Sequence, residues 1–196
     1  MIFTPILSID TEFDGDIPGI NNLWSIGAAL MNIVKEPTGY TVKLVSQFEV
    51  HLNNLPDCTS NPGSMEFWEK HQQAWQYARE NAIDPKRAME QFHDWMDRIV
   101  PEEYICATWP GSSDTAFIEY YSKRFLNKPA FKGFPLDARS YYFAQSKGTS
   151  WKDCGMHSLP AGWKPENPTP HRAGADAVAQ GYMVGKIFIE TFGKAA

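Results

Sequence analysis

Acidic side chains open the chain in a pattern that could do chemistry. Residues Ile6 to Asp14 (ILSIDTEFD) begin with apolar positions and then carry an acid at every second place: Asp10, Glu12 and Asp14. The apolar start, with two β-branched isoleucines, predicts a strand. Strand side chains alternate between faces, so acids two residues apart point the same way. Gly15 and the Pro18-Gly19 pair end the strand, which leaves Asp10 and Glu12 side by side at its end. Two ionised carboxylates that close repel each other. A shared proton, a cation or full exposure to water must offset this. A solvated strand end satisfies the pattern as well as a site of hard oxygen ligands suited to Mg²⁺ or Mn²⁺.

Three more residues are candidates for the same chemistry. Asp114 follows a predicted short strand, Glu103 to Thr108, and a loop from Trp109 to Ser113. It stands in the first turn of a helix whose apolar side is Phe117, Ile118, Tyr121 and Phe125, with Ser112 or Ser113 as cap. An acid there is ordinary capping and dipole chemistry. A strand–loop–helix junction is also where α/β proteins place functional groups. His171 and Asp176 are five residues apart and would diverge by about 140° on a regular helix. His171 is therefore expected on the loop or first turn, and Asp176 on the helix proper.

The elements that must position these residues follow from periodicity. Leu23 to Val34 predicts a second strand buried on both faces. Tyr40 to His51 alternates and predicts a third, joined to the second as a hairpin across the turn Lys35 to Gly39. After a polar loop, Ser64 can cap a helix in which Phe67, Trp68, His71, Trp75 and Ala78 recur at helical spacing. Asp84-Pro85 opens another, with a stripe of Ala88, Phe92, Trp95, Met96 and Ile99. Packing onto the sheet is the expected task of the tryptophans here, and His71 and His93 read as surface or core histidines. Leu136 to Ala138 predicts a short strand and Arg139 to Gln145 a short helix. Lys147 to Pro170 is a long irregular connection, the kind that often binds ligands. The last helix runs to about Phe192, and Ala177, Gly181 and Gly185 give it a small-residue row for close approach to the sheet.

Composition bounds the class. With 196 residues, 43% hydrophobic and 14% aromatic, the chain reads as one globular α/β domain over 1–196, without internal repeats. Cys58, Cys106 and Cys154 are widely spaced and make no zinc pattern, which suits reduced thiols in a cytoplasmic protein. The N-terminal apolar run reaches Asp10 at once, so no signal peptide is expected, and no run approaches the roughly 20 apolar residues of a membrane span. The net charge is −5 but uneven: residues 1–122 hold 18 acids and 7 bases, residues 123–172 hold 3 acids and 9 bases. A basic third quarter in an acidic chain suggests one positive face, unless folding scatters those charges.

Taken in order, Asp-x-Glu ending the first strand, an Asp opening a middle helix and His-x-x-x-x-Asp opening the last helix resemble the DEDDh exonucleases, the DnaQ-like group of the ribonuclease H-like superfamily. The most specific stretch is His171-Arg172-Ala173-Gly174-Ala175-Asp176-Ala177, which looks like that family's H-R-A-x-x-D-A; Asp10-Thr11-Glu12-Phe13 is close to its first motif. The loop Gly15 to Gly19 and the Trp-bearing helices look similar to the polyadenylate-specific exoribonuclease and phage exonuclease branch. Ser113 departs from the family, which often has Phe or Tyr before the second-motif Asp. The resemblance implies a ribonuclease H-like α/β fold: a mixed five-stranded sheet, its first three strands antiparallel, flanked by helices. It implies a 3′–5′ exonuclease hydrolysing phosphodiester bonds from single-stranded or overhanging 3′ ends of RNA or DNA. Asp10, Glu12, Asp114 and Asp176 would hold two Mg²⁺ or Mn²⁺ ions about 3.5–4 Å apart, as in two-metal hydrolysis. Asp14 becomes a spare acid facing solvent. His171 would take the proton from the attacking water. Neighbouring carboxylates raise its pKa and metal cations lower it, so the net direction stays open. Thr11 and Phe13 resemble positions that meet the terminal nucleotide, and Trp109 beside Asp114 is a further substrate-binding candidate. Family members are often homodimers, and no exposed stripe establishes one here. A nucleic-acid-binding module without catalysis, and a metal-stabilised structural subunit, are the competing readings; the complete acid–histidine set argues against the first.

Overall fold

The computed structural model describes residues 2–111, 113–146 and 150–193. Ser112, one of the two predicted helix caps, and Lys147, the start of the predicted long connection, lie outside the described residues. The chain runs β1 (Ile6–Phe13), β2 (Leu23–Glu36), β3 (Gly39–Leu52), α1 (Pro62–Lys70), α2 (Gln72–Glu80), β4 (Ala82–Ile83), α3 (Pro85–Ile99), β5 (Ile105–Thr108), α4 (Ser113–Leu126), β6 (Leu136–Asp137), α5 (Ala138–Ser146) and α6 (Ala173–Phe192). The strands form one six-stranded sheet in the order β4-β3-β2-β1-β5-β6. β1, β2 and β3 pair antiparallel, while β5, β6 and β4 join in parallel. The expected antiparallel opening is present, but the sheet has six strands rather than five. The extra strand, β4, is two residues between two helices, too short to show any period.

Apolar residues fill both faces. Leu7, Ile9 and Ile26 meet Phe92 of α3 and Phe117 and Tyr121 of α4. On the other face Ile6, Ala29 and Met31 meet Val184, Ile187 and Phe188 of α6. The three helical tryptophans pack as expected: Trp68 and Trp75 flank Trp24 at 5.4 and 6.4 Å, and Trp95 lies 5.6 Å from Phe48. The predicted helix around Trp68 and Trp75 is in fact two. Asn61, not Ser64, caps α1 through Gly63 N at 2.9 Å. The break falls at His71, whose φ of −121° and ψ of 39° leave the helical region; no Pro or Gly marks it.

Two bulges bend the hairpins. Trp24 is the extra residue where Glu12 pairs with Ser25 and Phe13 with Leu23. Val45 is the extra residue where Leu30 pairs with Ser46 and Met31 with Leu44. Asp14 closes the turn after β1. It is fully buried, accepting from Asn22 N at 2.6 Å, Asn22 Nδ2 at 2.7 Å and Ser60 Oγ at 2.7 Å. The expectation of a solvent-facing spare acid is therefore wrong: the turn folds back over Asp14 and uses its oxygens.

α6 approaches the sheet as its small residues suggest. A Cβ on Gly181 would lie 2.7 Å from Met31 Cγ, and one on Gly185 2.6 Å from Val42 Cγ2. The tightest approach is at Gly27 of β2, where a Cβ would overlap the Ala173 carbonyl at the start of α6. That obstacle is backbone and cannot rotate away, whereas Met31 can. Gly27→Ala is expected to cost about 3 kcal/mol or more of stability, and Gly181→Ala clearly less. Urea denaturation of both variants checks the order; equal losses would refute it.

Candidate active site

Register explains where the acids meet. Asp10 of β1 pairs across from Gly27 of β2, and Gly27 from Glu49 of β3. The glycine leaves the middle of this row open, and the first turn of α6 fills it. Glu49 completes the fit: its Oε1 accepts from Gly174 N at 3.1 Å and its Oε2 from Arg172 Nη2 at 2.9 Å. A carboxylate at a helix N-terminus satisfies an orphan amide and suits the dipole. The Arg172 guanidinium in turn lies 3.7 Å over the Tyr77 ring. Asp176, in the first turn of α6, is thereby aimed at the acids of β1.

Asp114 arrives from the opposite side on α4. Its Oδ1 accepts from Thr11 N at 3.0 Å and Thr11 Oγ1 at 2.7 Å. Asp176 Oδ1 accepts from Asn167 Nδ2 at 2.7 Å. The structure thus brings Asp10, Glu12, Asp114 and Asp176 together. Asp10 has its pKa raised well above the ordinary value by burial first, then by Asp114, Glu12 and Asp176. Glu12 is raised by burial, then by Asp176, Asp114 and Glu49. Burial raises Asp114 to about 6, with the Thr11 hydrogen bonds opposing. Asp176 is raised by burial, opposed by backbone hydrogen bonds from His171 and Arg172 and by Asn167.

A cleft of about 670 Å³ opens over Asp10, Glu12, His171 and Asp176, with Lys164 and Asn167 on its wall. A ring nitrogen of His171 and carboxylate oxygens of Glu12 and Asp176 lie within 4.8 Å of one another. His171 holds a positive φ of 62°, a conformation that costs a non-glycine residue about 1 kcal/mol or more. Its pKa is lowered by burial and then by His71, so its imidazole tends to the neutral, proton-accepting form. Burial and His71 push it the same way, downwards, in the cation-free site.

The proposed substrate residues fare differently. Thr11 borders the cleft, but its hydroxyl is committed to Asp114. Phe13 is partly buried, stacked on Phe117 at 4.9 Å. Trp109 is only 6% exposed and packs against Tyr142 at 6.0 Å. One residue past β5, it joins Ala107 on the α6 face and lies in the core. Of the basic residues in the long loop, Lys164 borders the cleft and Arg172 is turned to Glu49 and Tyr77. Sequence reasoning missed Glu49, Asn167, Phe67 and the contact between His71 and His171. Glu49 is an acid on a predicted strand, but its place beside Gly27 depends on a register that periodicity does not give.

Oxygen donors of high negative charge, crowded enough to raise one another's pKa, fit a hard divalent cation. The fold agrees with that of known nucleases. The nuclease domain of 3′hExo, a DEDDh family member bound to rAMP, superposes with a TM-score of 0.68 at 14% identity, covering 98% of this chain and 94% of that one. The Mg²⁺- and Mn²⁺-bound form of S. pombe Pop2p gives 0.61 at 18% identity over 96% of this chain and 84% of that one. These likenesses define an α/β exonuclease fold. In sequence, the 3′-5′ DNA exonuclease Cap18 of Escherichia coli is 30% identical over 173 residues, 87% of this chain and 84% of the relative. No family model matches the chain. The chain belongs to the DEDDh 3′–5′ exonuclease family and is a 3′–5′ exonuclease.

Raised carboxyl pKa values make stability fall with pH when no cation is bound. The folded chain holds protons that the unfolded chain releases at the same pH, so stability is lost as pH rises from the unfolded to the folded value. For Asp114 that window runs from 3.8 to about 6. With EDTA present, Asp10→Asn is expected to melt higher than the unmodified chain at about pH 8, and the gap to close towards about pH 4. Thermal melting across that range checks this; a lower melting temperature for the variant at high pH would refute it.

Proposed function

We propose that this exonuclease trims single-stranded or overhanging 3′ ends with two Mg²⁺ or Mn²⁺ ions held by Asp10, Glu12, Asp114 and Asp176. The observation that carries the reading is the close set of His171, Glu12 and Asp176 beside Asp10 in one cleft. Bound there, divalent cations would lower the pKa of a water and offset charge on the phosphoryl oxygens. Thr11 fixes Asp114, and Asn167 with the backbone of His171 and Arg172 fixes Asp176, so the acids need not reorganise when substrate arrives. His171 accepts the proton of the attacking water. The water oxygen bonds to phosphorus, the bond from phosphorus to the upstream 3′ oxygen breaks, and that oxygen leaves to be protonated. Lys164 is exposed on the cleft wall and supplies positive charge for the substrate phosphates in an otherwise acidic site.

DNA is the favoured substrate, because the relative of 30% identity is a DNA exonuclease by name. RNA is the second reading, favoured by the rAMP held in 3′hExo. The choice turns on contacts to one 2′-hydroxyl. Matched 5′-labelled DNA and RNA oligonucleotides, with Mn²⁺ or with EDTA, separate the readings. A ladder shortening from the 3′ end of DNA supports the proposal, faster RNA shortening reverses the substrate, and binding without shortening leaves only a binding module.

Asp10→Asn and Asp176→Asn are each expected to abolish cleavage, and Asp114→Asn to match them. His171→Ala is expected to lower kcat by about 10²–10⁴. Cation binding, read as a thermal shift with Mn²⁺, persists in His171→Ala; its loss would make His171 a ligand instead of a base.

A further inference from the structure

His171 is held by rings. His71 stands at the α1–α2 junction, tied on both sides: its N–H donates to Trp68 O at 3.0 Å and its carbonyl accepts from Trp75 N at 3.1 Å. Its ring centroid lies 4.1 Å from that of His171, tilted 56°. Phe67, one turn earlier on α1, lies 4.4 Å from His71 and 5.0 Å from His171, edge to face. The i, i+4 spacing puts Phe67 and His71 on one side of the α1 end. They cover the His171 ring there, while one of its nitrogens faces Glu12 and Asp176. Among the described residues no side-chain hydrogen bond fixes either imidazole. Packing is what orients His171, on a backbone that is itself in a costly conformation.

We propose that His71 is a positioning residue: with Phe67 it sets the plane of the His171 ring so that one nitrogen stays on the Glu12–Asp176 side of the cleft. This rests on His171 as the proton acceptor. A flat ring is what the role requires, since no bond from a His71 nitrogen takes part. Proton transfer depends on a donor–acceptor alignment that a rotated ring loses, while substrate binding does not.

Steady-state kinetics on a single-stranded oligonucleotide with Mn²⁺ tests this with His71→Ala and His71→Phe. His71→Ala is expected to lower kcat by about ten- to a hundredfold with KM changed by less than about twofold. His71→Phe, which keeps the ring, is expected to restore most of the loss. If His71→Ala does not fold, His71→Leu, bulky but not flat, takes its place. Equal losses in the Phe and Ala variants would show that a nitrogen is needed and overturn the proposal. Full activity in His71→Ala, or a rise in KM alone, would overturn it too. Failure of the underlying assignment shows separately, as full turnover in His171→Ala.

Discussion

Four like charges have to be held against their own repulsion, and most of the local structure follows from that constraint. Backbone and side chain share the burden. β1 fixes Asp10 and Glu12 on one face through pleat alone. Gly27 removes the side chain that would stand between them and α6. Glu49 then anchors the start of α6 through the Gly174 amide and the Arg172 guanidinium. Thr11 reaches to Asp114 with both its N–H and its hydroxyl, so one residue of the acid strand pins an acid of a distant helix. None of these devices neutralises the cluster. They leave its charge to be met by what enters the cleft, which suits cations and disfavours a bare anion.

The site divides into a rigid part and an adjustable part. The carboxylates stand on strand and helix. His171 stands on the last residues of a long loop, with Asn167 and Lys164 from the same loop at the wall. In the proposed role of base, a loop residue can adapt to the position of a water, but it needs a guide. The break between α1 and α2 places His71 beside it, with the two rings 4.1 Å apart. The Trp24–Trp68 contact, and the Trp68 Nε1 bond to Phe13 O at 3.0 Å, tie that break back to the acid strand. The geometry of His171 and of the acids is thus referred to one element.

The acids were legible in sequence because period two and helix-start position are local properties. Strands β1 to β3, β5 and the small-residue face of α6 were legible for the same reason. What escaped depends on contacts remote in sequence. Asp14 shares the spacing of Asp10 and Glu12, and only the fold of the next eight residues buries it under Asn22. Trp109 was a substrate-binding candidate by its place beside Asp114, but it sits in the core with Ala107. The α1–α2 break has no residue signature, and a two-residue strand such as β4 has no period to find. Glu49 was visible only once its register with Gly27 was known.

The Val45 bulge has a consequence beyond hairpin geometry. β4 covers only His51 and Leu52 of β3, so most of that fourteen-residue strand forms the sheet's outer border among the described residues. A straight, apolar border of that length would template strands from other chains and invite aggregation. Val45 breaks its repeat at the middle, and Lys43 places charge on one side. A foreign strand could match the hydrogen-bond spacing on one side of the bulge or the other, not both. The same irregularity that curves the sheet keeps the chain from extending it.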